Sequence, residues 1–190
     1  MRSVAVVPAA GSAERFGGAK LLAPIEGEAL LDRTIASLLS GGVERVVVVI
    51  GPSAEALVRD VNAFGDPRVS PVTNPEPSAG MFSSLQVGMA EAEGDVVLVL
   101  PGDMPFVRAA TVEQLLAAFG GEPGIVSPRY HGKRGHPVLL PPVLRDEIRA
   151  ADRGSNLHEI LKRHPELRHD VDVDDPGVGR DVDTVADLPQ

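Results

Sequence analysis

Glycine and basic residues are concentrated in the segment AAGSAERFGGAK at 9–20, directly after a short apolar run. Glycine allows backbone N–H groups to approach a phosphate closely, while Arg15 and Lys20 offer a planar fork and a compact positive charge. The segment therefore has the composition of a phosphate-binding loop. It has no Ser or Thr after its lysine, as a Walker A loop requires, and it lacks the later glycines of the dinucleotide-binding motif. An ordinary strand-to-helix turn with two solvated cations is the alternative.

A carboxylate follows a second apolar run, DVVLVL at 95–100. Ligands of open α/β sheets bind beyond the carboxyl ends of the strands, so Asp103 is expected at the same edge as the glycine-rich loop. A divalent cation that bridges phosphate oxygens is typically held by one or two carboxylates. Asp103 is a candidate for that role. The alternative is a turn former or helix cap in the sequence Gly-Asp-Met-Pro.

Short β-rich runs alternate with segments of helical periodicity, and these elements must position the candidate residues. The predicted strands are 4–8, 43–51, 68–72, 95–100 and 124–128, and the predicted helices are 28–41, 53–64, 80–92 and 111–119. A strand and helix in PVLLPPVLRDEIRAA and a helix in NLHEILKRH are expected after 129. The alternation predicts one α/β domain over 1–190, a three-layer α/β/α sandwich with a mostly parallel mixed sheet.

The composition excludes several classes of protein. The 190 residues include no cysteine, which rules out disulfides and thiolate zinc sites. Apolar runs are far shorter than the ~20 residues of a membrane helix. The net charge of −9 disfavours a general nucleic-acid binder. The five histidines contain no HxxxH pair, so a histidine zinc site is not favoured.

The segment PAAGSAERFGGAKLLAPIEGEALLDRTI resembles the AAGxSxRxGxxK signature of nucleotidyltransferases with a Rossmann-like, glycosyltransferase-A-type fold. Within that superfamily it is most similar to the molybdenum cofactor cytidylyltransferase and guanylyltransferase group. The resemblance implies that the loop holds a nucleoside triphosphate. The matching positions are Ala10, Gly11, Ser12, Arg15, Gly17 and Lys20.

Two acidic motifs extend the resemblance. The segment LPGDMPFV is similar to the family's LGDQPLV, which implies that Asp103 binds Mg²⁺. The segment GRDVDTVADL is similar to the family's DxDTPEDL and implies Asp183 as a second ligand, with Asp181 a weaker candidate. Alternatively, Asp183 or Thr184 caps a short terminal helix. From Glu166 to Gln190 there are eight acidic residues and two arginines, so this segment carries −6. Triphosphate binding is therefore expected to depend on the metal.

Two further motifs match the same group. The segment NPEPSAGMFSSLQVGM at 74–89 matches a pattern that implies nucleotide contacts, although plain helix capping explains its Ser83 equally well. The matching positions are Asn74, Gly80, Met81 and Ser84. The segment HGKRGHPVLLPP is similar to a Gly-His-Pro segment that borders the acceptor, so His136 is expected to touch an acceptor phosphate that Lys133 and Arg134 attract.

The resemblance implies a Mg²⁺-dependent nucleotidyltransferase in which Arg15, Lys20 and Asp103 are catalytic. CTP is the favoured donor because Ala10 stands where guanylyltransferases carry glycine. The implied acceptor is molybdopterin, and the expected setting is cytoplasmic, without nucleic-acid or membrane partners, as a monomer or weak oligomer. Alternatives are a cytidylyltransferase for another phosphorylated acceptor, of isoprenoid or sugar type, and a non-catalytic nucleotide- or cofactor-binding module on the same fold.

Overall fold

The computed structural model describes residues 1–11 and 20–188, and a single large sheet runs through it. Its strands are β1 (Ser3–Pro8), β4 (Arg45–Ile50), β5 (Val69–Thr73), β6 (Val96–Val99), β7 (Ile125–Tyr130), β8 (Lys133–Arg134), β9 (Val138–Leu140) and β10 (Arg168–Asp172). Strands β2 (Pro24–Ile25) and β3 (Glu28–Ala29) form a separate hairpin. All five predicted strands are present, and β9 is the strand expected after 129.

The strand order is β10-β7-β9-β6-β1-β4-β5, with β8 paired to β7. Strand β1 lies in the middle and pairs in parallel with both β4 and β6. Strand β9 runs antiparallel between β6 and β7, which makes the sheet mixed. The mostly parallel arrangement places the carboxyl ends of β1, β4 and β6 together at one edge.

Six α-helices are present in the described residues. They are α1 (Leu30–Ser40), α2 (Glu55–Asp60), α3 (Met81–Glu91), α4 (Ala109–Gly121), α5 (Pro142–Ala150) and α6 (Leu157–Lys162). The helix predicted over 53–64 is shorter, because α2 ends at Asp60 and a 3₁₀ helix, Asn62–Gly65, follows it. The Asp32 carboxylate accepts the backbone N–H groups of Asn62 and Ala63 at 3.2 and 2.7 Å, which fixes this separate turn.

Apolar residues cover both faces of the sheet. Along β1, Val4 and Val6 pack on the side of α3, α5 and α6, whereas Ala5 and Val7 pack on the side of α1 and α4. A central strand buried on both faces is apolar at every position, which explains the uninterrupted valine runs. The predicted three-layer sandwich is confirmed.

Helix α3 lies unusually close to the centre of the sheet because of Gly88. A Cβ at this position would collide with Val6 and come within 3.0 Å of Val49. The first turn of α3 therefore lies directly beside the carboxyl end of β1. No helix in the described part of the chain is long and apolar enough to cross a membrane.

Candidate active site

A cavity of ≈ 840 Å³ opens at the carboxyl edge of β1, β4 and β6. The sheet topology predicts a ligand site at this place. Most of the sequence-predicted site residues line it, namely Ala10, Gly11, Lys20, Gly80, Met81, Ser84, Asp103 and Asp183. Ser12, Arg15 and Gly17 lie outside the described residues, and their roles remain predictions.

Lys20 joins the two carboxylates that the sequence singles out. Its Nζ donates to Asp103 Oδ2 at 2.8 Å and to Asp183 Oδ1 at 3.1 Å. The Lys20 side chain is 13% exposed. Burial by itself lowers the pKa of Lys20, but the hydrogen bonds and charges of Asp103 and Asp183 outweigh it, so the pKa is raised. Lys20 therefore carries its positive charge at neutral pH.

Helix capping does not account for Asp183. The 3₁₀ helix Val185–Asp187 is capped by Thr184, because Asp187 Oδ2 accepts the Thr184 N–H at 2.7 Å and its hydroxyl at 2.8 Å. Thr184 and Asp187 therefore form the helix cap, whereas the Asp183 carboxylate accepts a hydrogen bond from Lys20. The Asp103 side chain is likewise bound to Lys20, while its backbone carbonyl accepts the N–H of Val182 at 2.9 Å.

The same two carboxylates fit a hard divalent cation. Both direct an oxygen at one positively charged nitrogen, so the position between them already selects a cation, and oxygen donors are those that Mg²⁺ and Mn²⁺ prefer. Residues 1–11 and 20–188 contain no cluster of three or more His, Asp and Glu that could hold a metal ion. With two carboxylates from the described residues, a metal between Asp103 and Asp183 is expected to take phosphate and water oxygens as further ligands.

The C-terminal segment 173–188 reaches this site because Asp175 anchors it. The Asp175 side chain is 2% exposed and accepts from the Arg108 N–H at 2.9 Å, the Thr111 hydroxyl at 2.7 Å and the Gly177 N–H at 2.9 Å. It thus fixes the segment to the start of α4. Asp175 is not among the candidates that the sequence motifs single out, although an aspartate just before Pro-Gly indicates a turn stabilised by its side chain.

Replacing Asp175 with alanine is expected to lower the free energy of unfolding by about 3 kcal/mol, because three donors, two of them in buried hydrogen bonds, lose a charged acceptor. Urea denaturation measures the effect. Asp174→Ala is the matched control, since Asp174 is the exposed neighbour and offers only its backbone carbonyl to Arg108. Equal stability of the two variants would contradict the anchoring role.

Asn74 is buried and positions the start of α3, whose first residues line the ≈ 840 Å³ cavity. Its Nδ2 donates to Ser83 Oγ at 2.9 Å and to Ser84 Oγ at 3.0 Å, and its Oδ1 accepts the Glu76 N–H at 3.0 Å. Gly80, with φ of 92°, turns the chain into α3. Direct nucleotide contact by Asn74 stays a prediction, whereas the observed role is to orient Ser84.

A second cavity, of ≈ 740 Å³, lies on the α3 and α6 side of the sheet. It shares Pro8, Met81 and Pro101 with the first cavity. His136 and Arg134 line it, whereas Lys133 is exposed on β8.

His136 is neutral in this wall. Burial lowers its pKa, and its Nδ1 lies 3.2 Å from the Val99 carbonyl oxygen. Since a carbonyl only accepts, we assign the ring proton to Nδ1, which leaves Nε2 as an acceptor. The charges of Asp103 and Asp181 act in the opposite direction on this pKa without reversing it.

Comparison with known proteins identifies relatives over nearly the whole chain. The model of the MobA-like NTP transferase domain matches residues 5–169. The chain is 32% identical to nicotine blue oxidoreductase of Paenarthrobacter nicotinovorans over 96% of this chain and 93% of that protein. It is 30% identical to 2-C-methyl-D-erythritol 4-phosphate cytidylyltransferase of Ralstonia nicotianae, over 85% of this chain and 64% of that protein. It spans only 26% of the bifunctional protein GlmU of Rhizorhabdus wittichii.

Solved structures share the fold. A nucleotidyl transferase from Methanothermobacter thermautotroptrophicus superposes with a TM-score of 0.80 at 24% identity, covering 98% of this chain and 94% of that one. Rv0371c from Mycobacterium tuberculosis, in complex with manganese, superposes with a TM-score of 0.76 at 23% identity, covering 98% of this chain and 96% of that one. The Rossmann-like nucleotidyltransferase fold is confirmed.

Proposed function

Because the chain belongs to the MobA-like NTP transferase family, a family of nucleotidyltransferases, we propose that it transfers CMP from CTP to a phosphorylated acceptor with the help of Mg²⁺. The observation that carries the proposal is the convergence of Lys20, Asp103 and Asp183 at the edge of the ≈ 840 Å³ cavity. Among the described residues, two carboxylates face one lysine at this site, so we expect a metal to assist the binding of a polyphosphate there.

The chain's own residues align and neutralise the reacting groups. Asp103 and Asp183 would hold the metal, which supplies positive charge to the phosphate oxygens when bound. Lys20 binds the β- and γ-phosphates and stabilises the leaving pyrophosphate. An acceptor phosphate oxygen attacks the α-phosphorus, and the bond from the α-phosphorus to the bridging oxygen breaks, with its electron pair leaving on pyrophosphate. Ser84 and Met81 lie at the wall where the nucleoside would bind.

The two cavities give the reactants separate places. We assign the nucleotide to the first cavity and the acceptor to the second, so that they meet at the shared residues Pro8, Met81 and Pro101. Neutral His136 offers the acceptor a hydrogen-bond acceptor at Nε2 and adds no positive charge. Its position supports contact with a hydroxyl or amine donor of the acceptor, whereas an unprotonated Nε2 offers a phosphate oxygen no hydrogen bond.

The three finer assignments, of nucleotide, metal and acceptor, are supported separately. CTP is supported by the cytidylyltransferase relative and by Ala10, which lines the cavity. Dependence on a divalent metal is supported by the paired carboxylates and by the manganese complex of Rv0371c. A molybdopterin-type acceptor rests on the family resemblance.

Pyrophosphate release with each of the four NTPs, tested against a panel of phosphorylated acceptors including molybdopterin, measures the proposed activity. We expect release with CTP, dependence on Mg²⁺ or Mn²⁺, and abolition by EDTA. A different preferred nucleotide would correct the base assignment alone. Absence of release with every NTP and acceptor would refute the enzyme proposal and favour a nucleotide-binding module.

A second candidate function is suggested by one relative. Nicotine blue oxidoreductase is 32% identical over 96% of this chain and 93% of its own length, and its name denotes a redox activity. Oxidation of NADH or NADPH, followed by absorbance with nicotine blue as electron acceptor, tests it. We expect no turnover in this assay. Turnover without pyrophosphate release in the NTP panel would replace the nucleotidyltransferase proposal.

A further inference from the structure

The two cavities have opposite electrostatic character. Among the described residues, the charged side chains lining the first cavity are Lys20, Asp103 and Asp183. Those lining the second are Arg129, Arg134, Arg168 and Asp170. The first set therefore carries a formal excess of negative charge, and the second carries an excess of positive charge. The excess of positive charge favours entry of an anion into the second cavity without a metal ion.

Two of the three arginines are neutralised by carboxylates. Arg134 forms paired hydrogen bonds with Asp170 at 2.7 and 2.9 Å, and Arg129 does so with Asp172 at 2.7 and 3.0 Å. These fork-to-carboxylate pairs fix the guanidinium planes on strands β7, β8 and β10. They leave the charge of the third arginine, Arg168, as the excess.

Arg168 faces the cavity as a charge that an anion would stabilise. Its Nε donates to the Leu161 carbonyl at 3.3 Å, and within residues 1–11 and 20–188 it forms no ion pair with a carboxylate. Burial, and then the charge of Arg134, lowers the pKa of Arg168, although the charge of Asp170 acts in the opposite direction. Because a guanidinium retains its proton in proteins, Arg168 is a partly buried cation in the cavity wall that an added anion would stabilise.

Part of the remaining wall of the second cavity is apolar. Phe82 and Leu85 contribute from α3, Leu157 and Leu161 from α6. Phe82, Leu85 and Leu161 belong to the buried core on this side of the sheet, so the wall is fixed in place. Such a surface suits a ring system or another apolar body, and the arginines lie beside it.

The backbone of Arg168 is remote from the place where the two cavities meet. Pro101 follows β6, whereas Arg168 lies on β10, and β9 and β7 separate these strands in the sheet. Three inter-strand spacings amount to roughly 14 Å. An anion on Arg168 is therefore a different group from the acceptor phosphate that reacts beside Pro8 and Pro101.

We propose that the second cavity binds an acceptor with two polar ends: a reacting phosphate at the junction of the cavities and a second anionic group, phosphate or carboxylate, on Arg168. An apolar ring body spans the distance against Phe82 and Leu161. The distal group binds without a metal ion. This inference rests on the proposed function, since it names the class of acceptor for the same reaction.

Binding of 1-naphthyl phosphate, 1-naphthoate and 1-naphthol tests the distal site, because the three probes share a ring and differ in the anionic group. Calorimetric titrations use the full chain in EDTA without nucleotide. We expect at least one anionic probe to bind about tenfold or more tightly than 1-naphthol. The tighter of the two anions identifies phosphate or carboxylate as the preferred group.

Variants locate the effect. Arg168→Gln should remove the preference for the anions without changing the affinity for 1-naphthol, and Arg168→Lys, which retains the charge, should keep most of it. The matched control is Arg149→Gln, because Arg149 is exposed on α5 and away from the cavity. Its affinities should equal those of the unmodified chain.

Equal affinities for 1-naphthol and both anions would overturn the proposal, as would a preference that survives in Arg168→Gln or that requires a metal. Failure of both anions to bind at about 1 mM would overturn it as well. These titrations involve no NTP and no turnover. Anion binding as expected without pyrophosphate release would support the anion site and refute the proposed function. Pyrophosphate release without the anion preference would refute the anion site alone.

Discussion

Asp103→Asn is expected to reduce metal-dependent pyrophosphate release by about 10³-fold. The amide keeps the shape of the side chain but removes the charge that, with Asp183, would hold the metal beside Lys20. Pyrophosphate release at saturating CTP measures the loss, and Mn²⁺ binding followed by electron paramagnetic resonance should weaken in parallel.

The control for this variant is Asp146→Asn. Asp146 is an exposed aspartate on α5 whose partners are the neighbouring Arg145 and Arg149, so the same substitution should leave turnover and metal binding unchanged. Thermal unfolding of both variants shows whether the fold is preserved. Retained turnover in folded Asp103→Asn would remove Asp103 from the catalytic residues.

Lys20→Met is expected to change two affinities in opposite directions. The affinity for CTP should fall tenfold or more, because the triphosphate loses a cation. The affinity for Mn²⁺ alone should rise about tenfold, because the ammonium no longer competes for Asp103 and Asp183. Calorimetry with CTP and electron paramagnetic resonance with Mn²⁺ in the absence of nucleotide measure the two effects separately.

Lys162→Met provides the matched control, since Lys162 is exposed in the last turn of α6 and is not part of either cavity wall. Both affinities should match those of the unmodified chain. A fall in Mn²⁺ affinity in Lys20→Met would show that the lysine supports the metal site and would refute the competition.

Local patterns in the sequence were sufficient for the fold and for the glycine-rich loop and Asp103, whereas the other candidates of the site came from the family resemblance. Each central strand is a valine-rich run followed by glycine or proline, and Lys20 and Asp103 lie in the segments that follow two of these runs. The ion pairs could not be predicted, since Lys20 reaches Asp103 over 83 positions and Asp183 over 163. Only the packing of the sheet determines that these three side chains point at one another.

Strand β10 escaped prediction for a different reason. Its sequence RHDVD has one apolar residue and lacks the β-branched alternation typical of strands. It forms at the edge of the sheet, where Asp170 and Asp172 pair with arginines of β7 and β8. These ion pairs stabilise a strand whose residues have low β-propensity. Asp175 was missed because an aspartate is rarely buried unless it is paired, and its partners Arg108 and Thr111 are more than 60 positions away in the sequence.

The attachment of segment 173–188 through Asp175 would make the proposed metal site sensitive to partial unfolding. Docked segments of this kind open locally at a lower free-energy cost than the whole domain. Each opening withdraws Asp183 from Lys20 and Asp103 while the sheet stays intact. The apparent affinity for the metal is then the intrinsic affinity multiplied by the docked fraction. Substitution of Asp175, at the start of α4, would therefore weaken metal binding although Asp175 does not line the cavity.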